Sequence, residues 1–243
     1  MIADDDRSPA RATAGAVGAG VLVGSIAAYA MPALAGAVPA LRGPLGIEDR
    51  TRDGRGYALT FDDGPHAQGT PAVLELLDEA GAPATFFLVG EQVQRDPALA
   101  REVVAAGHAV GLHCQRHRNL LRLAPWQVRA DIDRAQAAIE DATGVSPTLY
   151  RPPYGVLNAA ALAIARARAW RTVLWSQWGR DWEQGATADS IASLVTSGAG
   201  EGSVLLLHDA DDYSAAGSWR HTVAALPRVL ATLAERGIGP VTL

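Results

Sequence analysis

The chain has 243 residues, enough for one sizeable domain with a buried core and too few for two comfortable ones. Nearly half are hydrophobic and 19% are charged, an ordinary globular composition, and a net charge of −5 leaves no electrostatic footprint for nucleic acid. All 21 basic residues are arginine, which excludes lysine Schiff-base chemistry and a P-loop lysine, and the sole cysteine, Cys114, excludes an internal disulfide and a cysteine-only zinc site.

From Ala12 to Leu41 no charged residue occurs, and Ala, Gly, Val, Leu and Ile dominate. About 20 such residues in a helix cross a bilayer's hydrocarbon core. Arg7 and Arg11 precede the run, Asp4, Asp5 and Asp6 dilute that positive end, and Ala33-Leu34-Ala35 suits a signal peptidase. Residues 1–41 are therefore expected to be a signal peptide or a retained membrane anchor, the alternative being a disordered tail. Either of the first two places the rest of the chain outside the cytoplasm. Residues 42–55 read as a polar linker and 56–243 as the folded domain.

From Tyr57 onward short apolar runs alternate with helical stretches. The expected strands are Tyr57–Phe61, Ala84–Val89, His108–Leu112, Thr148–Arg151, Thr172–Ser176, Val204–Leu207 and, weakly, Gly239–Leu243. Their near-uniform apolarity suits parallel strands covered on both faces. Thr70-Pro71, Asn158 and Thr187 are expected helix caps. A long helix is expected from Pro125 to Thr143, with Trp126, Val128, Ile132, Ala135 and Ile139 on its inner face and Gly144 ending it. Seven strands alternating with helices argue for an α/β fold, either a parallel barrel or a doubly wound sheet.

In such folds the chemistry sits at the carboxyl ends of the strands, and five clusters fall there. After Tyr57–Phe61 come Asp62 and Asp63, two adjacent carboxylates of which one can bind a metal while the other acts as a base; alone, Asp-Asp-Gly is turn chemistry. After His108–Leu112 come His113 and His117, whose spacing on a helical turn would let both share one ion, giving with Asp63 a His₂-carboxylate set. Arg151-Pro152-Pro153-Tyr154-Gly155 is a stiff loop that can present an arginine and an amide N–H. Asp181-Trp182 and Leu206-Leu207-His208 complete the set. Each has a bland reading alone, a surface turn, a solvated histidine or a connector; five in one chain do not.

The ordered motifs T-F-D-D-G, H-x-x-x-H, R-P-P-Y-G, D-W and L-x-H resemble the polysaccharide deacetylase family, carbohydrate esterase family 4, from about Gly56 to the C-terminus. The resemblance implies a NodB-like, distorted (β/α)7-type barrel with parallel strands and one divalent metal ion, usually zinc. It implies Asp62 as general base, Asp63, His113 and His117 as metal ligands, and Arg151 as the residue that orients Asp62. It also implies the Tyr154 amide as an oxyanion donor, His208 as general acid tuned by Asp181, and Leu206 in the acetyl pocket. Two departures stand out: Cys114 where Ser or Thr is usual, and Trp178 in place of the first aspartate of D-x-x-D-W. Trp178 and Trp182 are candidate sugar contacts, although aromatic residues are more often core.

The leading expectation is removal of N-acetyl groups from an N-acetylhexosamine glycan of the cell envelope. The partners are then a carbohydrate and, through the N-terminal segment, a membrane, with no nucleic acid. Deacylation of a lipid-linked sugar, O-acetyl esterase activity and a non-catalytic glycan-binding relic are the alternatives. The oligomeric state is open.

Overall fold

The computed structural model describes residues 25–243. Residues 1–24, which carry the first half of the expected signal or anchor run, lie outside the described residues. No helix among the described residues is long and apolar enough to cross a membrane.

The strands are β1 (Ile47–Glu48), β2 (Tyr57–Asp62), β3 (Thr85–Val89), β4 (Ala109–Cys114), β5 (Leu149–Tyr150), β6 (Arg171–Val173), β7 (Gln177–Trp178), β8 (Ser203–His208) and β9 (Pro240–Val241). They form one sheet in the order β1-β6-β5-β4-β3-β2-β8-β7, every pair parallel. Strand β9 takes the start of β2, opposite Tyr57 and Ala58, on the side that β3 takes further along. Edge strands β1 and β7 have no pairing with one another among the described residues, so the distorted barrel of parallel strands is a curled half-barrel that stays open between them. Every residue of β2 and β3 is buried, which is why these runs are continuously apolar and do not alternate.

The helices that follow the strands are α1 (Gly69–Glu79), α2 (Gly90–Arg95), α3 (Pro97–Ala105), α4 (Pro125–Thr143), α5 (Ala159–Ala167), α6 (Ala188–Ser197) and α7 (Ser218–Glu235). Asn158 caps α5 by accepting from the Ala161 amide, Thr187 caps α6 by accepting from Ser190, and Gly144 ends α4 in a left-handed conformation. Thr70 does not cap: it lies inside the first turn of α1, and its hydroxyl donates to buried Asp209 instead. On α4 the inner face holds Val128, Ile132, Ala135 and Ile139, but Trp126 is 74% exposed because it lies roughly half a turn round the helix from those four and faces away.

Residues 42–55, expected as a linker, contain β1 and the buried Arg42. A strand of two residues carries no readable periodicity, and β1 exists because β6 offers it an open edge at Thr172 and Val173.

Candidate active site and metal centre

Parallel strands deliver their carboxyl ends to one rim. Asp62 ends β2 and His208 ends β8, and the register sets these two residues directly opposite one another. His113 lies near the end of β4, next to β5, whose exit carries Arg151. The backbone is strained along this rim: Asp63 (φ 78°), Cys114 (φ 108°) and Tyr154 (φ 61°) are non-glycine residues with positive φ. Such conformations cost ~1–3 kcal/mol each and persist where the surrounding structure over-determines them.

Asp63, His113 and His117 bring one ligand atom each to within 4.8 Å of one another. The His113 Nδ1–H donates to the Arg151 carbonyl at 2.8 Å, which leaves the Nε2 lone pair free. That Nε2 faces Asp63 Oδ1 at 3.5 Å, and His117 Nε2 faces the same oxygen at 3.4 Å. Asp63 Oδ1 is buried without a hydrogen-bond partner. An orphaned carboxylate oxygen between two imidazole nitrogens is a donor set for a divalent cation, so these residues fit the ion. Burial pushes both imidazoles down to about 3, keeping them in the neutral, ligating form, and pushes the Asp63 carboxyl up to about 7, a rise that a cation in the site reverses. The expected helical turn is absent: His113 belongs to β4 and His117 to the irregular segment after a bend at Gln115 and Arg116, and the positive φ of Cys114 makes the turn that brings them together. Cys114 itself is fully buried, and burial pushes its thiol well up, so it is packing and not a reactive group.

Asp62 is held from the other side. Arg151, with no exposed surface, donates from Nη1 to Asp62 Oδ1 at 2.7 Å and to Thr60 Oγ1 at 2.8 Å, from Nε to Val173 O at 3.0 Å, and from Nη2 to Leu174 O at 3.1 Å. Burial nonetheless raises the Asp62 pKa, with Arg151 opposing. Across the rim, Asp181 pairs with His208 Nδ1 at 2.9 Å and accepts from the His208 amide at 2.7 Å and the Thr222 hydroxyl at 2.8 Å. Burial alone lowers the His208 pKa, but the charge and hydrogen bond of Asp181, with the charges of Asp63 and Asp62 behind them, overcome it and push the imidazole up to about 10. Trp178 in place of an aspartate therefore leaves this ion pair in place.

These groups border a cleft of about 210 Å³ lined by Asp62, Asp63, His113, His117, Tyr154, Leu206, His208, Tyr213 and a wall of Trp175, Trp178 and Trp182. That is below the roughly 300–1,000 Å³ of pockets that engulf a small ligand, so the cleft takes one arm of a larger substrate. Arg151 and Asp181 stand behind the lining, each buried. Thr60 stands in the T-F-D-D-G motif with no role read for it, and nothing in the sequence marks Asp131 or Thr222. Asp131, on α4, anchors the histidine loop by accepting from the Gln115 amide at 2.8 Å, and no local pattern marks such a long-range partner.

His66, Asp211 and Asp212 form a second group with the spacing of metal ligands. His66 Nδ1 accepts from the Gly69 amide at 2.9 Å, so the neutral ring carries its proton on Nε2, which faces Asp211 at 3.2 Å. That nitrogen is a donor to a carboxylate and has no lone pair for a metal.

Known proteins resemble this chain over most of its length. The polysaccharide deacetylase family profile matches residues 49–173. A peptidoglycan-N-acetylglucosamine deacetylase of Bacillus cereus is 37% identical over 188 residues, 76% of this chain and 85% of that protein. A chitooligosaccharide deacetylase of Azorhizobium caulinodans is 36% identical over 186 residues, 74% of this chain and 88% of the relative. Among solved structures, a peptidoglycan N-acetylglucosamine deacetylase in complex with a naphthalenyl N-oxidanyl-benzamide superposes with a TM-score of 0.76 at 31% identity, covering 82% of this chain and 91% of the other.

Proposed function

The chain belongs to the polysaccharide deacetylase family and is an enzyme of that class, and from this premise we propose that it removes N-acetyl groups from the N-acetylhexosamine units of a cell-envelope glycan, peptidoglycan first. The observation that carries the proposal is the opposed pair at one rim: Asp62 on Arg151 and protonated His208 on Asp181, flanking the Asp63–His113–His117 set.

Asp63, His113 and His117 would hold the divalent ion, proposed as zinc, and the chemistry supplied there is polarisation of the acetamide carbonyl and activation of water. Asp62 accepts the proton of the attacking water, and Arg151 fixes the carboxylate so that its free oxygen faces the cleft. The Tyr154 amide helps hold the oxyanion. His208 gives its proton to the departing amine, and Leu206 borders the acetyl group. Trp178 and Trp182 offer aromatic faces to a sugar ring; Trp182 also packs edge-on against His208, with centroids 5.4 Å apart. A non-catalytic binder has no use for a half-buried acid, a buried base and a ligand set together, which disfavours that reading. The uncharged run at 12–41 supports action outside the cytoplasm, with the chain anchored or secreted.

The substrate class is tested by acetate release from peptidoglycan, N-acetylglucosamine oligomers, O-acetylated xylan and an N-acetylated lipid-linked sugar. The two N-acetylated glycans are expected to react fastest. Release confined to xylan or to the lipid-linked sugar overturns the assignment.

Asp181 sets the alkaline limb. It holds the His208 pKa far above the ordinary 6.5, so the acid form persists through neutral pH. Asp181→Asn removes the group that raises it, and burial then favours neutral imidazole. The variant is expected to lose activity as pH rises from 6 to 8, while the native enzyme does not. Superimposable pH–rate profiles would contradict this role.

A further inference from the structure

The segment 29–42 lies upstream of the part of the chain that matches the family, and it is built into the domain. The Tyr29 hydroxyl donates to Leu123 O at 2.6 Å and accepts from the side chain of Asn158 at 2.7 Å, and Asn158 is the fully buried cap of α5. Ala35 has no exposed surface and lies in the main hydrophobic core. Arg42, 9% exposed, reaches back to Ala35 O at 3.0 Å and Gly36 O at 3.3 Å, and forward to Asp49 at 2.6 Å and the Trp175 carbonyl at 3.0 Å.

These contacts converge on one loop. Gly36 lies so close to Gly155 that a methyl group on it would sit 3.0 Å from the Gly155 carbonyl. On its other side Gly155 meets Trp175, whose ring a Cβ on Gly155 would meet at 2.8 Å. Trp175 is the residue whose carbonyl Arg42 holds, and both Trp175 and Tyr154 line the cleft. Gly155 follows Tyr154, the oxyanion donor. The loop is thus pinched between Gly36 and a tryptophan secured by Arg42.

We propose that residues 29–42 are a retained strut that positions the Tyr154–Gly155 loop, with Gly36 and Arg42 as its positioning residues. The catalytic consequence rests on the deacetylase reading above; the retention does not. Signal-peptidase cleavage after Ala35 would delete Tyr29 and Ala35, strip buried Asn158 of a partner and take from Arg42 the Ala35 carbonyl that its Nε holds. The working enzyme therefore keeps Ala33-Leu34-Ala35 uncut, and the uncharged run before it serves as an anchor.

The test uses the full chain produced in a bacterial host with active signal peptidase. The mass of the purified protein is expected to include residues before Ala33, and a mature chain starting at Gly36 overturns retention. Gly36→Val and Arg42→Ala are then compared with the native chain and with Leu34→Ala, a control whose side chain is 53% exposed. A displaced donor loop lowers kcat by about tenfold, less than loss of the donor itself. KM, zinc affinity and the thermal midpoint of Gly36→Val are expected to stay near native values. Native kcat in both variants overturns the positioning role, and so does a parallel loss of zinc affinity, which marks a general packing defect. If the native chain releases no acetate, the deacetylase reading fails, and the mass still decides retention.

Discussion

Asp62→Asn keeps the fold and the ligand set but loses about 10²–10⁴-fold in kcat, the contribution of a positioned general base. Asparagine still accepts from Arg151 through its amide oxygen, so the hydrogen bond at 2.7 Å has a replacement and the charge alone is removed. In the proposed role Asp62 acts on the attacking water and not on the resting substrate, so the loss is expected in kcat. Zinc affinity is expected to stay close to native, since Asp63 and the two histidines are untouched. A variant retaining a tenth or more of native kcat would remove Asp62 from the base role and return the choice to its neighbours on the rim.

Arg151→Ala produces the largest stability effect. The guanidinium, with no exposed surface, satisfies Thr60, Asp62 and two backbone carbonyls, so its removal leaves a buried carboxylate uncompensated. Breaking a buried pair in this way costs about 3–5 kcal/mol, and in a domain of this size that lowers the thermal midpoint by roughly 10 °C. Arg151→Lys does not rescue it, because one ammonium cannot reach the Val173 and Leu174 carbonyls and Asp62 together. Adding Asp62→Asn to Arg151→Ala is expected to restore part of the stability, since the stranded charge is gone. An additive double variant would mean that the cost comes from lost packing against Phe87, whose ring lies 4.0 Å from the guanidinium.

The strand-end clusters were legible because β2, β3, β4 and β8 are continuous apolar runs and parallel strands gather their ends at one rim. The register that sets Asp62 opposite His208 was not legible, since it depends on pairing between residues far apart in sequence. The histidine pair was found at its true spacing but ascribed to a helical turn; the positive φ at Cys114 leaves no mark on a residue string. Strands β1 and β7 are two residues each, below the length at which periodicity exists. Asp131 accepts from the Gln115 amide and from the Arg118 side chain, Thr222 donates to Asp181, and nothing around either residue in the sequence announces the partner. The apolar run up to Leu41 was read by composition as a segment apart from the domain, whereas Ala35 lies in the main core and Arg42 is held by four groups.

The central claim is that Asp63, His113 and His117 hold the ion on which deacetylation depends. Its most direct test is acetate release from peptidoglycan by the full chain, stripped of metal and then titrated with zinc. Acetate should be absent from the stripped chain, rise to a plateau at one ion per chain, and stay absent at every zinc concentration in Asp63→Ala. Acetate from the stripped chain, or native release by a folded Asp63→Ala variant, would contradict the assignment.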